Sequence, residues 1–155
     1  MAEIIDELVA KRLRIVDDDG RTRIDLSTFE SGSPIIEIYD EDERRRAFLG
    51  FDRTNPRELN LAIADSSGRT SADIRVDASG FTSQTFYGQG ASRISITSDS
   101  GIPVIELTGQ DGRSQLVLRV REDGIPEVML FYVDGSLLFR VPQVSDKRPE
   151  GTTIQ

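Results

Sequence analysis

The chain has no cysteine and no histidine. Those two absences together remove disulfides, thiolate nucleophiles, the usual zinc ligand sets, and Ser-His-Asp or Cys-His catalysis. Tryptophan is missing as well and aromatics make up only 6 % of the residues, so the stacking platforms that sugar sites favour are scarce. No apolar run approaches the roughly 20 residues that a membrane-spanning helix needs. The N-terminal stretch "MAEIIDELVAKRL" is acidic and mixed, so no signal peptide is expected. The cytoplasm or an assembled particle is the expected location. A net charge of −8 leaves no basic face, which sets nucleic acid and anionic membranes aside as partners. The one basic run, Arg44-Arg45-Arg46, directly follows Asp40, Glu41, Asp42 and Glu43, and reads as a self-neutralised turn.

What the chain does have is an internal rhythm. The phrase "DDDGRTRIDL" from Asp17 to Leu26 returns as "DEDERRRAFL" from Asp40 and as "DSSGRTSADI" from Asp65. With Gly20 as a marker, the same slot is filled by Glu43, Gly68, Gly90, Gly112 and Gly135, at steps of 23, 25, 22, 22 and 23 residues. A period in this range is a statement about architecture and precedes any motif.

Around each marker apolar residues alternate with period two. Seven and five residues before it stand Leu13/Ile15, Ile36/Ile38, Leu61/Ile63, Ile105/Leu107 and Val128/Leu130. Four and six residues after it stand Ile24/Leu26, Ala47/Leu49, Ala72/Ile74, Ile94/Ile96, Leu116/Leu118 and Phe139/Val141. Such alternation predicts strands with one apolar face, and the intervening Arg14, Asp25, Glu37, Arg75, Ser95, Glu106 and Arg140 predict a polar opposite face. The fourth unit departs from the pattern, with Ser83 and Thr85 at the apolar slots, so a slipped register or a bulge is expected there.

The predicted fold is therefore all-β: six tandem β-hairpin repeats of about 23 residues, giving about twelve antiparallel strands in a meander over residues 11–143. Acidic Gly turns close each hairpin, and segments such as "ESGSP" and "EDGIP" join one hairpin to the next. A short amphipathic helix is expected over residues 1–13, from Ile4, Ile5, Leu8 and Val9, and a loosely ordered tail over 144–155. The apolar faces need a partner, which a barrel, a sandwich, a trefoil or packing between chains would each supply. The alternation does not choose among them, although its uniformity favours an oligomer of stacked faces over a trefoil.

No constellation points to chemistry. Asp17, Asp18 and Asp19 lack the downstream Glu of a calcium loop, and Asp with Gly is ordinary turn composition. "GQGAS" at 88–92 sits at a hairpin turn rather than a strand-to-helix junction, so it is no phosphate loop. No catalytic residue, cofactor or metal ligand is expected. The candidate functional surface is the aliphatic face itself: Leu13, Ile15, Ile24, Leu26, Ile36, Ile38, Leu49, Leu61, Ile63, Ile74, Ile94, Ile96, Ile105, Leu107, Leu116, Leu118, Val128 and Leu130. Phe81, Phe86 and Tyr87 form a second candidate, a patch for a protein or glycan partner. "IYDEDERRR" from Ile38 to Arg46 resembles the YD repeats of bacterial polymorphic toxin shells. The Tyr-Asp pair is absent from the other units, and no function is carried across. The expected role is a non-catalytic structural or interaction module, a homo-oligomer with a trimer favoured. The alternative is a lipocalin-like barrel that encloses an apolar ligand.

Overall fold

The structure is a computed structural model and describes residues 7–52 and 55–142. All twelve elements are strands: β1 (Leu13–Val16), β2 (Thr22–Thr28), β3 (Pro34–Tyr39), β4 (Arg45–Phe51), β5 (Leu59–Ala64), β6 (Thr70–Val76), β7 (Thr82–Tyr87), β8 (Arg93–Asp99), β9 (Ile102–Thr108), β10 (Ser114–Val120), β11 (Pro126–Phe131) and β12 (Leu137–Val141). They belong to two compact units, one through Tyr87 and one from Gly88. Within each unit the strands pair antiparallel in chain order, and each strand touches only its neighbours in sequence. Each unit is thus one open layer, with neither a barrel nor a sandwich formed inside it.

The predicted N-terminal helix is corrected where it can be seen. Residues 7–12 are non-helical and Leu13 already opens β1, because Leu13 and Ile15 pair with Leu26 and Ile24 of β2. The remainder of that expectation, and the tail over 144–155, lie outside the described residues.

The turns explain the asymmetric spacing around the marker. In the first acidic turn the Asp17 N–H donates to Arg21 O, and the Gly20 N–H donates to Asp17 O. Asp17 Oδ1 also accepts the backbone N–H groups of Asp19 and Arg21. Asp40 and Asp65 hold their own turns in the same way, through Asp42 and Arg44 and through Ser67 and Arg69. A loop with this closure and no further change would set Ile15 opposite Arg23. Instead the register slips by one residue past the turn, so that Ile15 faces Ile24. The bulge keeps aliphatic residues on one face of both strands. Equivalent slips follow the turns into β4, β6, β10 and β12.

The connections out of the hairpins are plainer. The Phe29 N–H donates to Ser33 O, and the pairing of β2 with β3 runs without a slip. Between β8 and β9 the turn is only two residues, Ser100 at φ +51° and Gly101 at φ +81°, the doubly left-handed form that fits the strand twist.

A chain of this length would ordinarily bury an apolar core. Here Ile35, 7 % exposed, is the one buried hydrophobic side chain among the described residues. It sits against Gly50 on the polar face, where a Cβ on that glycine would come within 2.9 Å of Ile35 Cγ2 and of Pro34 O. A single layer has no second layer to pack against, so the apolar face stays uncovered within each unit.

Candidate functional site

Residues paired across a ladder point to the same face, so the register defines the surface. In the first unit two rows cross seven strands. One runs Leu13, Leu26, Ile36, Leu49, Leu61, Ile74, Gln84 and the other runs Ile15, Ile24, Ile38, Ala47, Ile63, Ala72, Phe86. In the second unit the rows are Ile94, Leu107, Leu116, Leu130, Phe139 and Ile96, Ile105, Leu118, Val128, Val141. The aliphatic residues singled out in the sequence are therefore brought together within each unit. They are left half in water, for example Ile38 at 45 % and Ile96 at 43 % exposed.

In the fourth unit β6 and β7 pair in unbroken register, without the expected slip or bulge between them, and the face assignment is one residue out of step with the marker slots of the other units. Gln84 and Phe86 take the apolar face opposite Ile74 and Ala72, while Ser83 and Thr85 turn to the other side. This separates the second candidate patch. Phe86 lies on the aliphatic face, Tyr87 on the opposite one, and Phe81 in the turn ahead of β7. The Tyr87 hydroxyl donates to Asp73 Oδ2 at 2.9 Å, and its pKa is raised by burial and by that bond.

On the opposite face ion pairs cover the buried carboxylates. Asp25, 3 % exposed, is held by Arg12, whose hydrogen bonds keep the carboxyl below its ordinary value despite burial. Asp73 receives Arg75 at 2.6 Å. Burial works to raise the carboxyl of Glu127, but hydrogen bonds from Arg119 and Arg140 on the flanking strands outweigh it and hold the group ionised. On the same face Glu37 accepts from the Tyr39 hydroxyl at 2.7 Å and from Arg45 at 2.9 Å. Burial first, then the bond to Glu37, pushes the Tyr39 phenol up to about 12. The arginine stems cover their own partners, which is how one layer buries a carboxylate.

A further set of arginines ties neighbouring hairpins together, a role that composition alone did not reveal. Arg21 donates to Glu41 O, Arg44 to Ser66 O and Arg113 to Val133 O, at 3.2, 3.2 and 3.1 Å. Each reaches from one turn to the next, about one hairpin along the chain. The signal was present as the Arg that follows the marker in "DGR" and "DER", although Arg69 of "SGR" bonds within its own turn, to Asp65 and Ser67. Arg45, from the basic run, extends over the Phe48 ring at 5.3 Å from its centroid.

A groove of about 670 Å³ opens on the polar face of the first unit beside Phe48, Ala62, Ala64 and Thr70. Its aromatic surface is taken up, since Phe48 also stacks with Phe29 at 6.5 Å. Among the described residues no group of three or more carboxylates is placed to hold a metal ion. No helix among them is long and apolar enough to cross a membrane. No protein-family model and no curated protein matches the chain.

Proposed function

We propose that the protein is a non-catalytic, hairpin-repeat structural module that assembles with copies of itself through the aliphatic face. One observation carries this reading: each unit leaves two rows of almost wholly apolar side chains half exposed, while on its other face the buried carboxylates are already covered by ion pairs. Contiguous exposed apolar surface on this scale marks an association site. Fully burying an aliphatic side chain is worth about 1.5–3 kcal/mol, so one left roughly 40 % exposed has about 0.6–1.2 kcal/mol still to gain. A dozen such side chains match the roughly 4–15 kcal/mol that association costs. A chemical site needs a few unlike residues in one place, whereas these rows supply like residues along their length.

A trimer is the favoured state. Closed three-fold rotation turns the apolar rows of three copies toward one axis and leaves no fourth copy to add. Absolute mass by size-exclusion chromatography with light scattering tests the reading. About three times the 17.2 kDa chain is the expected result. Twice the chain mass would keep self-assembly and replace the trimer with a dimer. The chain mass at every concentration would overturn the proposal.

A further inference from the structure

Gln84 is the one polar side chain in the two rows of the first unit, and the rows of the second unit contain none. It is half-buried, it faces Ile74 across the ladder, and its strand neighbour on that face is Phe86. No hydrogen bond of its side chain is formed among the described residues. If the aliphatic face is covered, this amide loses water and must find a partner or leave donors and an acceptor unsatisfied. The rows around it offer only hydrocarbon.

An amide has what another amide needs: an NH2 group to donate and a carbonyl oxygen to accept. We propose, resting on the self-assembly reading above, that Gln84 lies beside the symmetry axis of the oligomer and hydrogen-bonds to Gln84 of the neighbouring copies. About a two-fold axis the amides bond reciprocally. About a three-fold axis each donates to the next in a closed ring. Uniform aliphatic rows would let one face slide along another by a strand or a row at little cost, because Ile, Leu and Val look alike to each other. A lone amide that is satisfied only by its own copy fixes one register and one number of chains, as single buried amides do in helical coiled coils.

The lack of cysteine makes the test direct, because Gln84→Cys introduces the only thiol in the chain. A disulfide requires Cα atoms within about 7 Å. The mass of the wild-type protein and of reduced Gln84→Cys is measured first, then both are oxidised and run on a non-reducing gel. Ser66→Cys, in an exposed hairpin turn, serves as the control for random collision. The expected result is rapid covalent dimer for Gln84→Cys and little for Ser66→Cys. In a trimer the yield stops near two thirds of the chains, since the third thiol has no mate. If reduced Gln84→Cys loses the wild-type mass while Gln84→Asn keeps it, the amide is needed for assembly and the proposal stands. A wild-type oligomer whose Gln84→Cys form assembles without crosslinking overturns the axis placement alone. A monomeric wild type overturns the self-assembly reading, and this inference falls with it.

Discussion

Glu43 occupies the marker slot that glycine fills elsewhere, and its backbone holds φ +57°, a left-handed conformation that side chains with a Cβ resist. Nothing else distinguishes its turn: Asp40 caps Asp42 and Arg44 as Asp65 caps Ser67 and Arg69. Glu43→Gly is expected to raise stability by about 1 kcal/mol, read as a higher urea midpoint with an unchanged slope. Glu127 works in the other direction. Its side chain is fully covered and bonds to Arg119 and Arg140. Glu127→Gln removes the countercharge from both and is expected to cost about 1–2 kcal/mol, toward the lower end because the arginines are partly exposed and rehydrate. A midpoint equal to wild type would mean that the pair contributes nothing net.

At the scale of the element, a hairpin here is a turn, a bulge and two half-exposed strands. The Asp that opens the turn carries its pH dependence. The Asp65 carboxyl is lowered from 3.8 to about 2, chiefly by the Ser67 hydroxyl and then by backbone N–H donors of Arg69 and Ser67. Asp17, Asp40, Asp77 and Asp134 are lowered by comparable bonds. Because the folded pKa lies below the unfolded one, Asp65 contributes stability at every pH above about 4. That contribution is lost as pH falls from about 4 toward 2. Asp65→Asn keeps the acceptor oxygen and removes the titration. Urea midpoints followed from pH 5 to pH 2 should fall less steeply for Asp65→Asn than for wild type, and parallel curves would exclude this source of acid lability.

For the whole molecule, the missing quantity is an apolar core. One buried aliphatic side chain among the described residues is too little to offset the ordering of twelve strands. Stability is therefore expected to come with association, and the melting temperature to rise with protein concentration. Ile36→Lys and Ile105→Lys place a charge in the apolar rows of the first and second units, at positions where the monomer tolerates it because both are more than a third exposed. Each should shift the measured mass toward that of the single chain. Full retention of the oligomer in both variants would show that the aliphatic face is not where the copies meet.

The alternation of apolar and polar residues, with the turn residues that punctuate it, was enough to predict about twelve strands in an antiparallel meander and, outside the fourth unit, which residues share a face, because side chains of a strand alternate with a period of two. Turn composition located the connections for the same kind of local reason: Asp and Gly adopt these conformations whatever surrounds them. The helix expected over 1–13 failed in residues 7–13 because Leu13 and Ile15 found ladder partners in β2, and pairing outweighs helical spacing in a segment that short. Only the tertiary structure placed Gln84 and Phe86 on the aliphatic face, since register at an irregular strand depends on the neighbouring strand as well as on the strand itself. It alone showed the arginines stapling turn to turn, contacts between residues some 20 positions apart that no local pattern encodes. And it alone decided that each unit is a single open layer, because alternation specifies that a face must be covered but carries no information about what covers it.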